Sequence, residues 1–596
     1  MSPIDFSITN FKQLKQKTCA EVLVEYLEIE GVEYVFGVSG GTVISLLEAI
    51  DKSEKISFIM CKHEGSASFM ADMYARMTGK TGVCLSTAGP GATNMLTGVA
   101  CAQMDNIPLL AITGQPATHT AGKGAVQESS EFGVDTVAIY GQFTGFSSCI
   151  SDAAAFQQIL VRALRVAQAE SKQAVHISIP SNISGHIFES INVHTNFKKY
   201  RISHAAIDFA QIHKAAEILI NAKKPLILLG SGFQYGEHID GLIRIAEIVG
   251  SPVVTTPQGK GLFPEDHPLS LGVFGFAGNL SAKKYMLEEN IDVLVVIASS
   301  LGEWTTESWN PRLFPSKYFI QIDVDSQNIG QNFPVSLGIV GDVSAVIKEL
   351  YKILLSMSCR IDSAGKNILK QETRQRRENV LLLKKETGSV QKPQKLLSDE
   401  IPLKPQRVMH DLNICIEKDA VIIVDAGNAY AWTLHYLKLR HPQRFIIPLG
   451  FASMGHATAG VIGAALGAPL RQVIAVVGDG SMLMNGNEVH TAVEYKIPAI
   501  WIILNDSRWG MVYHGNKAVS GKGLSSEYHS TDFVQFARTM GAKGYRVTKP
   551  GELCKILPII QKEKQPTVID VIIDGDEEPP FLERVLAVKQ YMKKDN

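Results

Sequence analysis

Two short apolar runs in the last third of the chain constrain its fold more than any other feature. The runs VIAVV (473–477) and AIWIIL (499–504) are rich in β-branched residues and end near polar groups, Asp479 within Gly-Asp-Gly and Asn505. Runs of this kind are typical of buried parallel strands. Because an open α/β sheet binds its ligands at the carboxyl ends of its strands, we expect Asp479 and Asn505 to lie close together.

The side chains at these two strand ends suit a hard divalent cation. A carboxylate, an amide oxygen and a nearby carbonyl are oxygen ligands, and magnesium bound in this way keeps water and phosphate oxygens as its other ligands. The sequence therefore predicts a magnesium diphosphate site. The alternative is that Gly-Asp-Gly is only a turn between a strand and a helix, since a glycine motif alone is a weak signal.

Composition limits the classes of protein to which the chain can belong. Its 596 residues, 45% of them hydrophobic and 20% charged, predict a globular protein of several domains. The net charge of −1 and the lack of a lysine and arginine cluster argue against nucleic-acid binding. No apolar run reaches membrane-spanning length, no signal peptide opens the chain, and the cysteines form no CxxC pairs. We therefore expect a cytoplasmic protein without a membrane span.

Motifs over about residues 18–585 resemble one family of enzymes. Gly-Asp-Gly followed by Asn505 is similar to the thiamine diphosphate (ThDP) signature, although the second asparagine of that signature is Asp506 here. Residues 62–115, which include KHEGSASF and AGPGATN, resemble the pyrimidine-binding domain of acetolactate synthases. The chain is identified as a member of the ThDP-dependent enzymes that resemble acetolactate synthases and pyruvate decarboxylases.

The resemblance implies an α/β fold of three doubly wound parallel-sheet domains. These are a pyrimidine-binding domain (14–185), a central, Rossmann-like domain (206–355) and a diphosphate-binding domain (406–585), with a linker over 356–405. The polar, turn-rich residues 184–203 are also expected to form a linker. In this family the active sites lie between subunits, which implies a homodimer or a homotetramer.

The resemblance also assigns the residues that hold the cofactor and its metal. Asp479, Asn505 and the carbonyl of Ser507 are expected to bind Mg2+. Met454 is expected to wedge under ThDP and bend it, although from the sequence alone it is a core filler. The cofactor-binding groups implied in this way are Gly40, Gly427, Asn428, the carbonyl of Ala452, Met454, Gly480, Ser481 and Met511.

Three further residues, Glu64, Gln127 and His119, are catalytic candidates. By resemblance, Glu64 hydrogen-bonds the pyrimidine N1′ and drives deprotonation of the thiazolium C2, whereas from the sequence alone it is a carboxylate that stabilises a helix N-terminus. Gln127 matches a glutamine that lies near the bound substrate and is a candidate for orienting the donor. His119 is a candidate acid or base, although an exposed loop histidine more often has no such role.

Two departures from the family change the expected ligands. The histidine and the first arginine of the motifs found in FAD-carrying relatives are Ala277 and Leu301 here, which disfavours FAD but leaves FAD or ADP in the central domain possible. The same arginine faces the carboxylate of the second keto acid in acetolactate synthases, and leucine cannot replace a guanidinium clamp. The family's specificity tryptophan is Gly515.

These observations predict a carboligase or acyltransferase. It would decarboxylate a 2-keto acid, with pyruvate as the first candidate, and transfer the acyl carbanion to an aldehyde or another apolar acceptor. Three alternatives remain: an acetolactate synthase, a lyase or decarboxylase that acts on acyl-CoA compounds, and a non-catalytic homologue. In each catalytic case the substrates are small molecules.

Overall fold

Three six-stranded sheets, each with all of its strands paired in parallel, organise the molecule. The computed structural model describes residues 11–202, 206–233, 239–358, 368–440, 443–581 and 585. Helices connect most successive strands of these sheets, whereas in the second sheet residues 256–269 and 324–336 each connect a pair of strands without an α-helix. The prediction of three doubly wound α/β domains is therefore confirmed.

The first domain contains the residues before 200. Its strands are β1 (Phe11–Thr18), β2 (Tyr34–Gly37), β3 (Ser57–Met60), β4 (Gly82–Ser86), β5 (Leu109–Gln115), β6 (Phe146–Cys149), β7 (Ala174–Pro180) and β8 (Ile187–His194). Its helices are α1 (Cys19–Ile29), α2 (Ile44–Asp51), α3 (Glu64–Thr78), α4 (Pro90–Asn94), α5 (Leu96–Met104), α6 (Thr136–Gly141), α7 (Phe156–Ala167) and α8 (Ser181–Ser184). The order in the large sheet is β3-β2-β4-β5-β7-β6.

A separate two-stranded sheet contradicts one prediction. Residues 184–203 were expected to form a linker, but β8 within them pairs antiparallel with β1 in a register that places Phe11 opposite His194. The prediction was wrong because β8 is largely solvent-exposed, so its sequence lacks the regular apolar alternation that marks a half-buried strand. Ser203, the last residue of that segment, lies outside the described residues.

The second domain has the strand order of a dinucleotide-binding sheet, β11-β10-β9-β12-β13-β14. Its strands are β9 (Pro225–Leu229), β10 (Val253–Thr255), β11 (Ser270–Val273), β12 (Val293–Ile297), β13 (Tyr318–Asp323) and β14 (Leu337–Val340). Its helices are α9 (Phe209–Ile220), α10 (Ile239–Val249), α11 (Leu280–Glu288), α12 (Glu303–Thr306), α13 (Val343–Ser358) and α14 (Ile368–Thr387).

Helix α14 belongs to the segment expected to be a linker, yet it packs on the second domain. Thr373 Oγ1 donates to the carbonyl of Ile248 at 3.0 Å, and Arg376 donates to the carbonyl of Val249 at 2.6 Å. Val380 on the same helix is buried. This part of the chain is therefore docked on α10 and is not only a solvated connection.

The third domain has the order β16-β15-β17-β18-β20-β19. Its strands are β15 (Val421–Val424), β16 (Arg444–Ile446), β17 (Val473–Gly478), β18 (Ala499–Asn505), β19 (Lys543–Val547) and β20 (Thr567–Ile572). Its helices are α15 (Pro405–Cys415), α16 (Asn428–Tyr436), α17 (His456–Gly467), α18 (Asp479–Asn485), α19 (Val489–Glu494), α20 (Gly510–Ser520), α21 (Phe533–Thr539) and α22 (Glu552–Glu563). The two apolar runs of the sequence are the neighbouring strands β17 and β18.

Helices α3 and α17 join the first and third domains in one hydrophobic core. Two glycines of α17 allow this approach: a Cβ at Gly463 would lie 1.9 Å from the carbonyl oxygen of Met70, and one at Gly460 would lie 2.5 Å from Met73 Cγ. A buried ion pair crosses the same contact, with His456 Nε2 2.6 Å from Asp72 Oδ2, although the two groups are not aligned as a hydrogen bond. The helix that begins at Glu64 is thus fixed on the domain that contains Asp479.

Within the part of the chain that the structure describes, no helix combines the length and the apolar character that a membrane span requires.

Candidate active site

A cleft opens at the carboxyl edge of the third sheet, where the sequence placed the ligand site. It lies between the segments that follow β15, β17, β18 and β20, with the loop before α17 beside them. The structure brings seven of the predicted cofactor or metal residues together as lining of this cleft: Gly427, Asn428, Met454, Asp479, Gly480, Ser481 and Met511.

The three expected metal ligands lie at two adjacent strand ends. Asp479 is buried directly after β17, and its Oδ2 accepts a 2.6 Å hydrogen bond from the backbone N–H of Ser507. Asn505 closes β18, and its amide nitrogen donates to Asp570 Oδ1 at 2.8 Å, so its oxygen is the amide atom that can face a cation. Ser507 has a φ of 54°, and its carbonyl already accepts the N–H of Tyr528 at 3.2 Å.

Charge in the cleft favours a cation. Burial raises the pKa of Asp479 to about 6. Burial and the charge of Asp479 together raise the pKa of Asp506, another lining residue, to about 7. Among the described residues no group of three or more His, Cys, Asp or Glu side chains is placed to hold a metal, so a cation here would also need neutral oxygen ligands. Asn505 and Ser507 offer such oxygens at the adjacent strand end, although neither lines the cleft, and together with Asp479 they form a set of ligands that fits Mg2+.

Two conformationally restricted glycines and an unpaired amide oxygen form part of the cleft lining. Gly427 has a φ of 125°, which an L-residue rarely adopts, and a Cβ at Gly480 would lie 2.4 Å from the ring of Trp509. The side-chain oxygen of Asn428 is buried and has no hydrogen-bond partner among the described residues. This oxygen is a hydrogen-bond acceptor, and leaving it buried and unpaired is costly, so a ligand that offers it a donor group or a cation would gain affinity.

The loop that carries Met454 is held at both ends by carboxylates. Asp105 of the first domain accepts the N–H of Gly450 at 2.9 Å, and the buried Asp425 accepts that of Gly455 at 2.9 Å. Between them Ala452 has a φ of 53°, in the left-handed region that L-residues avoid. The loop is therefore fixed in an unfavourable backbone conformation beside the cleft, which is typical of a functional segment.

Two catalytic candidates of the first domain, Glu64 and Gln127, lie beside the same glycine-rich turn, apart from this cleft. Asn94 donates to Glu64 Oε2 at 2.9 Å, and a Cβ at Gly91 would lie 3.3 Å from Glu64 Oε1. Gln127, with a φ of 59°, packs against Gly89 of the same glycine-rich turn. The cleft residues that the structure describes all follow residue 425, so within one chain neither Glu64 nor Gln127 lines the cleft.

Two other predicted residues lie in the first domain. A Cβ at Gly40 would lie 2.4 Å from Thr87 Cβ, so this glycine permits close packing against the turn that leads to α4. His119 is exposed in a short turn, next to Thr118, which is hydrogen-bonded to Asn182. Neither residue lines the cleft of its own chain.

Comparison with known proteins identifies the family. Residues 17–138, 212–350 and 425–571 match the N-terminal thiamine pyrophosphate (TPP) binding domain, the central domain and the C-terminal TPP binding domain of thiamine pyrophosphate enzymes. A probable acetolactate synthase large subunit from Methanocaldococcus jannaschii is 33% identical over 585 residues, which cover 94% of this chain and 93% of the relative. The chain belongs to the thiamine pyrophosphate enzymes.

Other relatives of this thiamine pyrophosphate enzyme carry related names. A putative thiamine pyrophosphate-containing protein, YdaP, from Bacillus subtilis is 31% identical and covers 95% of the chain and 93% of its own length. An acetolactate synthase large subunit from Cyanidium caldarium is 30% identical, with 94% of each chain covered. The resemblance to a ThDP-dependent enzyme of the acetolactate synthase family is confirmed.

Sequence reasoning missed three side chains that shape this site. Asp425 follows β15 and organises the Met454 loop, a role that the end of an apolar run could have signalled. Trp509 packs on Gly480, and Arg508 lines the cleft with its guanidinium 2.8 Å from Asp576. These two residues could have been found from their position, because they follow directly after the metal-binding signature in the sequence.

Proposed function

We propose that this thiamine pyrophosphate enzyme is a magnesium-dependent carboligase. It decarboxylates a 2-keto acid, with pyruvate as the first candidate, and transfers the acyl group to an aldehyde or another apolar acceptor. The observation that carries the proposal is the cleft itself, which combines two carboxylates, an unpaired amide oxygen and two constrained glycines at adjacent strand ends. When bound, ThDP would supply a nucleophilic carbon to bond the keto carbon of the substrate, and a cationic thiazolium ring to take up the electron pair released with CO2.

Each residue has a defined task in this proposal. Asp479, Asn505 and the carbonyl of Ser507 hold Mg2+ and the diphosphate, with Asn428 and Gly480 beside them. Met454 lines the cleft at the end of a rigid loop, where it would hold the two rings of the cofactor bent toward each other. The bend matters because proton transfer requires atoms within hydrogen-bond reach.

The proton-transfer residue Glu64 comes from a second copy of the chain. Glu64 does not line the cleft of its own chain. The Glu64 region of the first domain and the cleft of the third domain are therefore two half-sites. Three apolar side chains near them are exposed: Met60 by 37%, Met104 by 57% and Phe451 by 51%. Met60 precedes Glu64, and Phe451 lies in the loop that carries Met454. A partner subunit that covers these side chains would bring the two half-sites together, in a homodimer or in a tetramer built from two dimers.

Two positions support an acceptor other than a small 2-keto acid. Leu301 is 3% exposed and packs in the core of the second domain, so no cation stands at that position to bind a second carboxylate. A Cβ at Gly515 would have no atom within 4 Å, so the place of the family's tryptophan is open. The lack of a guanidinium at position 301 and the open space at position 515 suit a neutral or apolar acceptor better than an anion, and the Arg508 guanidinium in the cleft is already paired with Asp576 and Glu527.

The test is acceptor-dependent release of CO2. The purified enzyme is incubated with ThDP, Mg2+ and pyruvate, alone and with a panel of aldehydes, 2-keto acids and acyl thioesters. Stimulation by an aldehyde would support the proposal and identify the acceptor. If acetolactate is the best product, the acceptor argument is wrong.

A second candidate, acetolactate synthase, is favoured by the names of several relatives, including those from Methanococcus aeolicus and Haemophilus influenzae. Formation of acetolactate from pyruvate alone, with flavin absorbance in the purified protein, would support it. If neither acetolactate nor flavin absorbance is found, and CO2 is released from an acyl-CoA substrate, the lyase alternative would be favoured.

A further inference from the structure

Glu488 of the third domain is a buried carboxylate that contacts the backbone of the first domain. Its side chain has no solvent exposure and lies just after α18. Glu488 Oε1 accepts the N–H groups of Lys62 and His63, both at 3.0 Å. Its Oε2 accepts the hydroxyl of Thr491 at 2.6 Å. No motif in the sequence singles out this residue.

Backbone N–H groups and a hydroxyl, and not a cation, stabilise the charge of Glu488. Among the described residues Glu488 forms no ion pair, and the ammonium group of Lys62 lies 2.6 Å from Glu494 instead. Burial raises the pKa of Glu488, which reflects the cost of removing a carboxylate from water. Two successive backbone N–H groups that point at one carboxylate form a compact anion site. The arrangement therefore fixes the backbone at residues 62 and 63.

The fixed backbone leads directly into the proposed base. His63 is the N-cap of α3, with its Nδ1 accepting the N–H of Gly65 at 3.0 Å, and Glu64 is the first residue of the helix. A second contact comes from the same segment of the third domain, where Asn485 donates to Ser66 Oγ at 2.8 Å. Glu488 and Asn485 thus hold the helix terminus that sets the position of Glu64.

We propose that Glu488 is a positioning residue for Glu64. It holds the junction between β3 and α3 so that the Glu64 carboxyl group stays within reach of the proton that it shares with the cofactor. The proposal rests on the proposed function of Glu64. Misplacing a reacting group by about 1 Å can cost on the order of 10²-fold in rate, so loss of Glu488 should slow proton transfer without removing the cofactor site.

The test compares Glu488→Gln with Glu494→Gln in the full-length enzyme. Both changes remove one carboxylate that contacts Lys62, but only Glu488 holds the backbone, while Glu494 holds the exposed ammonium group. ThDP affinity is measured by tryptophan fluorescence, because Trp432 and Trp509 line the cleft. Proton transfer is measured as hydrogen–deuterium exchange at C2 of bound ThDP.

We expect Glu488→Gln to slow exchange by roughly 10-fold to 100-fold, with ThDP affinity close to that of the parent. Glu494→Gln should match the parent in both measurements. Exchange at the parent rate in Glu488→Gln would overturn the proposal. Because a buried substitution can prevent folding, Thr491→Val is a second variant, which removes only the hydroxyl that donates to Glu488. It should slow exchange in the same direction but less, and a parent rate would count against the proposal.

A double mutant separates positioning from general damage. If Glu488 acts through Glu64, then Glu64→Gln and the double mutant with Glu488→Gln should exchange at the same slow rate. Additive effects would mean that Glu488 acts independently of Glu64 and would contradict the proposal. If Glu64→Gln alone exchanges like the parent, the proposed role of Glu64 is wrong. If Glu64→Gln is slow and Glu488→Gln is not, only the role of Glu488 is wrong.

Discussion

At the scale of single residues, the proposed cation site has one more carboxylate than the family signature provides. Asp506 stands where the second asparagine is expected, beside Asp479. The guanidinium of Arg508, two residues further on, lowers the pKa of Asp506, but burial and the charge of Asp479 outweigh it. The pair of carboxylates is therefore a source of repulsion that a divalent cation would relieve.

Replacing Asp479 should accordingly weaken metal-dependent binding of the cofactor. In Asp479→Asn we expect the affinity for ThDP with Mg2+ to fall by roughly 10-fold to 100-fold, because the anionic ligand is lost. Fluorescence titration of ThDP at fixed Mg2+ measures it. The control is Asp399→Asn, which removes the same charge from a side chain that is 85% exposed and does not line the cleft. Equal affinities of parent and Asp479→Asn would exclude Asp479 as a ligand.

The sequence revealed some residues of the candidate site and concealed others. Asp479 and Asn505 were visible because each ends a buried strand, a signal confined to a few consecutive residues. Glu488 was invisible because its partners are backbone N–H groups 426 and 425 residues away, which carry no side-chain signature. Asp105 is concealed in the same way, since its partner Gly450 is 345 residues away.

At the scale of elements, the buried parallel strands could be recognised in the local sequence, whereas the exposed strands depend on a distant partner. The strands β9, β12 and β18 are buried along their whole length and appear in the sequence as unbroken apolar runs. Only one residue of β1 and one of β8 is buried, and backbone pairing with a distant partner defines both strands. The three sheets could therefore be predicted, whereas the small antiparallel sheet could not.

The contact between α3 and α17 depends on glycine in α17. Gly463→Ala would place a Cβ 1.9 Å from the carbonyl oxygen of Met70, and a backbone atom cannot move aside alone. We expect a loss of about 1–3 kcal/mol in the free energy of unfolding, since inserting an atom in a packed core forces the helices apart. Denaturant unfolding measures the loss.

The matched control is Gly515→Ala in α20. A Cβ there would have no atom within 4 Å, so the substitution tests helix propensity alone. We expect it to stabilise the chain slightly, by less than about 1 kcal/mol. A similar change in stability for both variants would show that close packing at Gly463 is not what selects glycine.

At the scale of the whole molecule, a buried ion pair makes the union of the first and third domains sensitive to pH. Burial alone would lower the pKa of His456, but the Asp72 carboxylate raises it to about 9. A histidine whose pKa is raised in the folded state stabilises that state below its unfolded pKa of about 6.5. This contribution is lost as the pH rises through about 9.

We therefore expect the free energy of unfolding to decrease between pH 6.5 and pH 9, with a contribution from His456 of at most about 1.4 kcal/mol per pH unit. In His456→Asn this decrease should be smaller. Denaturant unfolding at several pH values measures the slope. The control is His490→Asn, an exposed residue of α19, whose profile should match the parent's. A parent-like slope in His456→Asn would assign the pH dependence to other groups.

If the active site is shared between two chains, as proposed, two inactive variants should restore activity when they are co-expressed. Glu64 and Asp479 lie in the first and third domains, and only Asp479 lines the cleft of its own chain. In a dimer with sites between subunits, Glu64→Gln and Asp479→Asn subunits together form one site with both defects and one with neither. Equal co-expression should thus restore about a quarter of parent activity, since half of random dimers are mixed and half of their sites are intact. If Glu64 and Asp479 of one chain served the same site, every site would keep a defect and co-expression would restore nothing.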